Sequence, residues 1–314
     1  MAASGPHFVR PLAVLATALI ALAAGPAPAQ ILPWEVTVAE IEAGHLRGLC
    51  ERLSKQNLLY QFHLGEVRKS DLIETAGRID RIIETLEKGN PSQSVPAPWT
   101  AEIAAQIRRV DGAWGPLRRI AVASPYEFIR VRREYAPTRD NRGDPLRVYY
   151  FDDLSRNLIS ESEKLLGLYN AECEKTGLGI CPTAYSSGDA AMLIERVTKQ
   201  AVNIVAGIEP KQSRQRLEDT IEAYHALRRA INESDFYAEA LNPERGVSAR
   251  AAGQLLASLR EDWDALQVEV SILSAGDEQN FDLQRMLNIQ VRLVAKVERL
   301  TAALLRFASL TYGS

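Results

Sequence analysis

The stretch that decides the fold is Gly44-His45-Leu46-Arg47-Gly48-Leu49-Cys50-Glu51-Arg52-Leu53-Ser54-Lys55-Gln56. It returns in altered form, 144 positions later, as Gly188-Asp189-Ala190-Ala191-Met192-Leu193-Ile194-Glu195-Arg196-Val197-Thr198-Lys199-Gln200. The identical positions are Gly, Leu, Glu, Arg, Lys and Gln, and Leu53/Val197 and Ser54/Thr198 are conservative changes. Because self-similarity at a fixed separation sets the architecture, we predict one helical module that is used twice.

Apolar residues recur at helical spacing along both modules. They predict helices over 34–64, 71–88, 100–122 and 149–174, and again over 187–207, 210–231, 249–273 and 278–310. Trp114 and Trp263 lie at corresponding places in the third helices, where Pro116 is expected to kink the first of them. We therefore predict an all-α chain of two tandem four-helix bundles from an internal duplication, with repeats at 35–175 and 185–311.

The first residues have the form of an export signal. Arg10, an apolar run and Ala27-Pro28-Ala29 predict a secretory signal peptide over 1–29, and an uncleaved N-terminal anchor is the alternative. Export to the periplasm would place the cysteines in an oxidising compartment. Cys173 and Cys181 are then expected to form a local disulfide, against the alternative of two free thiols, while Cys50 is expected to be a small buried side chain.

Charge and residue patterns exclude several classes of function. The formal net charge is −3, and loss of Arg10 makes it more negative, which argues against nucleic acid as a partner. The segment 124–147 is rich in arginine and is interpreted as a solvated loop, with an acidic partner or lipid headgroups as the alternative. His45, His63 and His225 have no metal-site spacing, and no catalytic motif occurs. We expect no enzyme activity, no metal and no cofactor.

The repeated stretch also resembles a known family. Gly44, Arg47, Leu49, Arg52 and Lys55 follow the opening pattern of the PilJ-type domain, the N-terminal sensor of type IV pilus chemotaxis transducers. The same stretch is similar to the P-box of nitrate/nitrite sensor kinases. Both sensor domains are four-helix bundles, and the resemblance extends to both copies. It implies a periplasmic sensor-type or ligand-binding module.

The resemblance also implies a binding site. In the kinases the P-box arginine helps to hold the anion between two copies of the first helix in a dimer. Arg47 matches that arginine, whereas Ala191 stands in its place in the second copy. Paired arginines would therefore need a homodimer. The candidate ligand-binding residues are Gly44, Arg47 and Lys55, with the equivalents Gly188, Arg196 and Lys199.

The alternative is that the same residues have a structural role. Arg47, Glu51 and Lys55 are spaced four apart, as are Glu195 and Lys199, and such pairs form ordinary ladders along one helix surface. The first functional hypothesis is a sensor for a small molecule or an anion such as nitrate or nitrite, which relays to a membrane-bound receptor or transporter. The alternative is a structural or adaptor protein with a degenerate pocket. An exported enzyme is a distant third.

Overall fold

The computed structural model describes residue 31 and residues 33–123, 145–175 and 181–312. The predicted signal peptide over 1–29 and most of the arginine-rich segment 124–147 lie outside these ranges. The described part of the chain is all-α. Its helices are α1 Pro33–Gln61, α2 Lys69–Lys88, α3 Ala101–Val122, α4 Pro145–Lys175, α5 Cys181–Val205, α6 Pro210–Glu233, α7 Asp235–Ala240, α8 Val247–Ser274 and α9 Leu283–Tyr312.

Most helices lie where the apolar spacing predicts them, and local capping explains some of the differences at their ends. Thr100 accepts a hydrogen bond from the amide of Ile103 and starts α3, as expected. The predicted start of the last helix at 278 is wrong, because the chain first makes a 3-10 turn over Glu278–Asn280. The Asp282 carboxylate then accepts from the Arg285 amide at 2.9 Å and starts α9.

Another difference concerns the start of the fifth helix. Helix α5 begins at Cys181, six residues before the predicted start at 187. Pro116 lies inside α3, which continues beyond it to Val122 as predicted, and the kink expected there stays a prediction. Tertiary packing sets these limits in addition to the local preference of each residue.

Helices α1, α2, α3 and α4 surround one hydrophobic core, each packing against the next and α4 against α1. The core is closely filled by aliphatic side chains and by Trp114 on α3. Leu46 and Leu53 face it from α1 and are fully buried. The four helices of this first half are the ones that the first repeat predicts.

Helices α5, α6, α8 and α9 surround a second core, which contains Trp263 on α8. Leu58 and Leu59 near the end of α1 and Val148 at the start of α4 also belong to this core. The two halves thus share side chains, and the chain from Pro33 onward forms one compact unit. The duplication and the boundaries at 35–175 and 185–311 stay predictions.

The most extensive contact between helices joins α1 to α5. The two helices run in the same direction, because Gly44 meets Gly188 and Gly48 meets Ala191 and Met192 further along. A Cβ at Gly188 would lie 2.9 Å from the Cα of Gly44. Backbones approach this closely only where both residues lack a side chain, so the glycines fix where the helices cross.

Within the described ranges, no helix combines the length and the apolar character that crossing a membrane requires.

We predict that Gly188→Ala destabilises the protein. The added methyl group would push against the backbone of α1 rather than against a flexible side chain. Overpacking of this kind costs about 1–3 kcal/mol. It should outweigh the ~1 kcal/mol that alanine gains over glycine inside a helix. Chemical denaturation would measure the loss.

Gly112→Ala is the matched control for this prediction. Gly112 lies inside α3, and a Cβ there would meet nothing within 4 Å. It should therefore raise the free energy of unfolding by about 0.5–1 kcal/mol. If both variants were stabilised equally, the close crossing of α1 and α5 would be disproved.

Candidate functional site

The interface between α1 and α5 brings together the residues singled out in the two sequence copies. Gly44 and Gly188 touch through their backbones, and each helix sends charged side chains to the other. Because the helices are parallel and in register, residues that correspond in the two copies lie at the same level. The interface therefore has an approximate twofold arrangement inside a single chain.

Glu195 on α5 is the centre of one buried charge cluster. Its carboxylate accepts from Arg52 Nε at 2.7 Å and from Lys55 Nζ at 2.5 Å, both on α1. Gln290 on α9 donates to the same carboxylate at 2.9 Å. Burial alone would raise the pKa of Glu195, but the charges of Lys55 and Arg52 outweigh it and lower that pKa below its ordinary value.

Glu51 on α1 is the centre of the reciprocal cluster. Arg196 Nε lies 2.7 Å from Glu51 Oε1, and Lys199 Nζ lies 2.6 Å from Glu51 Oε2. Lys199 also donates to Asp152 on α4 at 3.0 Å. Burial would lower the pKa of Lys199, but Glu51 and Asp152 raise it above its ordinary value, so its charge is retained.

The expectation that these charges pair along one helix is wrong. Lys55 pairs with Glu195 and Lys199 with Glu51, so both ion pairs run across the interface between α1 and α5. The four carboxylate and ammonium groups are almost fully buried. Buried pairs of this kind hold two helices in one register, whereas pairs along a surface helix contribute only a few tenths of a kcal/mol.

Arg47 lies in the same interface, one turn from the crossing point of α1 and α5. It is 3% exposed, and its Nη2 lies 2.5 Å from Asp189 Oδ1 on α5. An aspartate of the same chain thus stands against the guanidinium that the resemblance assigns to an external anion. No second arginine faces it from α5, since the position corresponding to Arg47 is Ala191.

Glu40 extends the interface by one more helical turn. Its side chain is fully buried, and within the described part of the chain neither carboxylate oxygen has a hydrogen-bond partner. Burial, together with the negative charges of Glu174 and Asp189, raises the pKa of Glu40 from 4.5 to about 8, although Arg47 opposes the shift. At pH 7 the folded protein therefore favours the protonated, neutral form of Glu40.

The structure describes the side chain of only one member of the predicted Cys173–Cys181 pair. Cys50 is a free, fully buried thiol, as expected. Cys173 is also buried, with its Sγ 3.7 Å from Thr37 Oγ1 at the start of α1. The side chain of Cys181 lies outside the described part of the structure, so its disulfide with Cys173 stays a prediction.

The histidines occupy separate environments. His45 lies 3.8 Å from a Glu42 oxygen, and His225 contacts Trp263 edge-on. Across the residues that the structure describes, no group of three or more His, Cys, Asp and Glu side chains could hold a metal ion.

An open groove of about 410 Å³ lies beside the Glu195 cluster. Arg52 and Lys55 reach it from α1, and Gln290, Val294 and Glu298 face it from α9. Of the predicted ligand-binding residues, Lys55 borders this groove, whereas Gly44 and Arg47 lie further along the interface. The geometry thus separates residues that the motif had grouped together.

Sequence reasoning missed the acidic half of the interface. The sequence pattern places Glu51 and Glu195 only in ladders along a helix surface, and it assigns no role to Asp152 or Glu40. The available signal was the identity of glutamate, arginine and lysine at the same three positions of both copies. In a parallel pair of helices, such triplets can satisfy one another across the interface.

We predict that Glu195→Gln destabilises the protein strongly. Glutamine keeps the size of the side chain but removes the charge that balances buried Lys55. Breaking a buried pair on one side costs about 3–5 kcal/mol, because the remaining charge stays buried. Urea denaturation would measure this loss.

Glu298→Gln is the matched control for Glu195→Gln. Glu298 pairs with Arg78 at 3.2 Å, but its side chain is 45% exposed. An exposed pair contributes at most about 1 kcal/mol. Equal losses in the two variants would contradict the role of the buried cluster.

We predict that Glu40 makes stability decrease as pH rises. Because its pKa increases on folding from 4.5 to about 8, the folded state keeps a proton that the unfolded chain releases in this window. The free energy of unfolding should therefore fall by up to about 1.4 kcal/mol per pH unit between these values. Denaturation of the wild type and Glu40→Gln at several pH values isolates this contribution. Parallel pH profiles for the two proteins would contradict it.

Comparison with known proteins finds a similarity over the charged stretch of α1 and the two helices that follow it. No curated protein and no solved structure matches the chain. Residues 41–127 match the family model of PilJ, the type IV pili methyl-accepting chemotaxis transducer N-terminal domain. The matched stretch contains most of α1, all of α2 and α3, and the glycine, arginine and lysine positions of the first sequence copy. This part of the chain is therefore similar to a chemotaxis transducer sensor domain.

Proposed function

We propose that this protein is an exported, non-catalytic sensor-type module that reports a small ligand to a membrane-bound receptor or transporter. The observation that carries the proposal is the α1–α5 pair, since most of α1 lies in the stretch similar to the PilJ sensor domain. Both modules contribute to this pair, and buried ion pairs fix its register. A ligand that favours another relative position of α1 and α5 would change the surface that a partner contacts.

Recognition of nitrate or nitrite by Gly44, Arg47 and Lys55 is the finer form of the proposal. A planar guanidinium is well suited to oxyanions. However, Arg47 is already paired with Asp189. An anion must therefore compete with a carboxylate that is covalently part of the same chain. Binding by this route requires Asp189 to move away or to become protonated.

A structural or adaptor role is the second candidate. It is favoured by the pairing of Arg47, Lys55, Arg196 and Lys199, each of which lies against a carboxylate of the other helix. Assembly of the two halves is enough to explain why these cations are present, and no external ligand is required. A homodimer is not needed to supply a second copy of the first helix, since α5 fills that place.

We predict that Asp189→Asn increases the affinity for nitrate and nitrite at least tenfold. The asparagine keeps the size of the side chain but removes the negative charge that occupies Arg47. Isothermal titration calorimetry on the wild type and this variant would measure the change. The double variant Arg47→Ala/Asp189→Asn should lose the gained affinity.

The outcome of this titration separates the two candidates. If Asp189→Asn binds no anion more tightly than the wild type, or if the double variant binds equally well, Arg47 is not an anion site. The structural or adaptor role would then be favoured for the α1–α5 interface.

A further inference from the structure

The groove beside the Glu195 cluster has an apolar floor that is partly open to solvent. Leu287, Val291 and Ala295 lie four residues apart along α9, and all three line the groove. Residues at this spacing share one face of a helix. Val291 is 63% exposed. Because covering exposed apolar surface is favourable, this floor suits an aliphatic side chain of a ligand.

Arg52 presents an open guanidinium edge to the same groove. Its Nε donates to Glu195 at 2.7 Å, whereas its Nη2 lies 4.0 Å from Glu298, beyond hydrogen-bond distance. The side chain is 20% exposed and lines the groove. Within the described part of the chain, neither Nη atom has a hydrogen-bond partner, and neither is buried. Two adjacent N–H groups of this kind fit both oxygens of a carboxylate.

Two acidic side chains near Arg52 weaken this anion site without occupying it. Glu298 and Glu74 both place negative charge near the guanidinium. Both are exposed, so water and salt screen their effect. Glu298 is also held by Arg78 at 3.2 Å. A ligand carboxylate on the two Nη groups would lie closer to Arg52 than either of them.

An acidic residue lies at the other end of the floor. Glu66 lines the groove, is exposed, and makes no ion pair within the described ranges. It lies beside Leu287, because a Cβ at the neighbouring Gly65 would be 3.3 Å from Leu287 Cδ1. This carboxylate is therefore available to an ammonium group of a ligand.

The two charged ends are about 10 Å apart. Arg52 shares Glu195 with Gln290 and approaches Glu298, so it lies at about the level of Val294 on α9. From Leu287 to Val294 the helix rises about 10 Å at ~1.5 Å per residue. Three extended amino-acid residues span about the same length.

We propose that this groove binds a short linear peptide, about three residues long, with free termini and an aliphatic middle residue. Its C-terminal carboxylate contacts the Nη groups of Arg52, its N-terminal ammonium faces Glu66, and its middle side chain covers Val291. The groove of about 410 Å³ has room for such a ligand, since pockets for small molecules have about 300–1,000 Å³. This inference rests on the proposed ligand-binding function, but it uses neither Gly44 nor Arg47.

Arg52 relates this ligand to the contact between the two halves. Its Nε takes part in one of the buried ion pairs between α1 and α5, while its Nη edge faces the groove. The walls of the groove come from α1 in the first half and from α9 in the second. A bound peptide would therefore favour one relative position of the halves.

The test is calorimetric titration of the full chain with the tripeptide alanyl-leucyl-alanine at pH 7. We expect saturable binding with a Kd below 1 mM. Amidation of the C-terminus removes the charge that contacts Arg52 and should weaken binding at least tenfold. Acetylation of the N-terminus should weaken it about threefold, because Glu66 is exposed and its ion pairs are weak.

A substitution in the floor tests the apolar contact. Val291→Asn should weaken binding of the tripeptide at least threefold, because the amide is a poorer surface for the leucine side chain. Val268→Asn is the matched control. Val268 is 59% exposed on α8, outside the groove, and this variant should bind the tripeptide as the wild type does.

Substitutions of the charged residues test the two ends. Arg52→Lys keeps a cation beside Glu195 but removes the two Nη groups, so it should weaken binding at least tenfold, with little further loss for the amidated peptide. Glu66→Gln should weaken binding about threefold, with no further loss for the acetylated peptide. Glu298→Gln removes a repelling carboxylate and should strengthen binding. Glu66→Gln and Glu298→Gln serve as the test if Arg52→Lys does not fold.

Three results would overturn the proposal. They are no binding up to 10 mM tripeptide, equal binding of a peptide with both ends blocked, or undiminished affinity in Val291→Asn and Glu66→Gln. Equal binding of the blocked peptide would indicate a purely apolar surface. None of these results bears on nitrate binding by Asp189→Asn, which tests the proposed anion site independently.

Discussion

Two buried carboxylates, Glu51 and Glu195, impose the main constraint on this structure. A carboxylate removed from water is stable in its charged form only when cations and hydrogen-bond donors surround it. Each of these carboxylates obtains an arginine and a lysine from the opposite helix. The halves of the chain are therefore tied together by electrostatic need as well as by apolar contact.

This constraint acts together with the glycine contact. Gly44 and Gly188 allow the two backbones to meet, and the ion pairs lie two turns further along the same helices. The glycines fix the distance between the helices, whereas the charges fix their rotation and register. A shift of one helix by a single residue would separate every cation from its carboxylate.

Much of the fold could be predicted from the sequence. Helical periodicity placed the main helices, and the separation between Gly44 and Gly188 indicated which residues correspond. The partners of the charged residues could not be predicted, because spacing by four residues suits a pair along one helix as well as a pair across a parallel interface. Which kind of ion pair forms depends on how the helices pack, and the spacing of the charged residues does not show this.

The same limit applies to Arg47 and to Trp263. A motif shows that an arginine is present, but only the tertiary structure shows that Asp189 stands against it. Likewise, Trp114 and Trp263 look equivalent in the sequence. Their surroundings differ because the second helix of each half supplies an acidic group in one case and an aromatic ring in the other.

The parallel direction of α1 and α5 has a consequence for symmetry. When two identical subunits meet about a twofold axis, each contact must occur twice, and every surface patch must complement itself. Here one polypeptide supplies both sides, so that each side can change alone. The Arg47–Asp189 pair uses this freedom, since the positions related to it by the twofold arrangement are Ala191 and His45, which cannot repeat it. Covalent linkage thus allows the two sides of the interface to carry different side chains, which two identical subunits could not do.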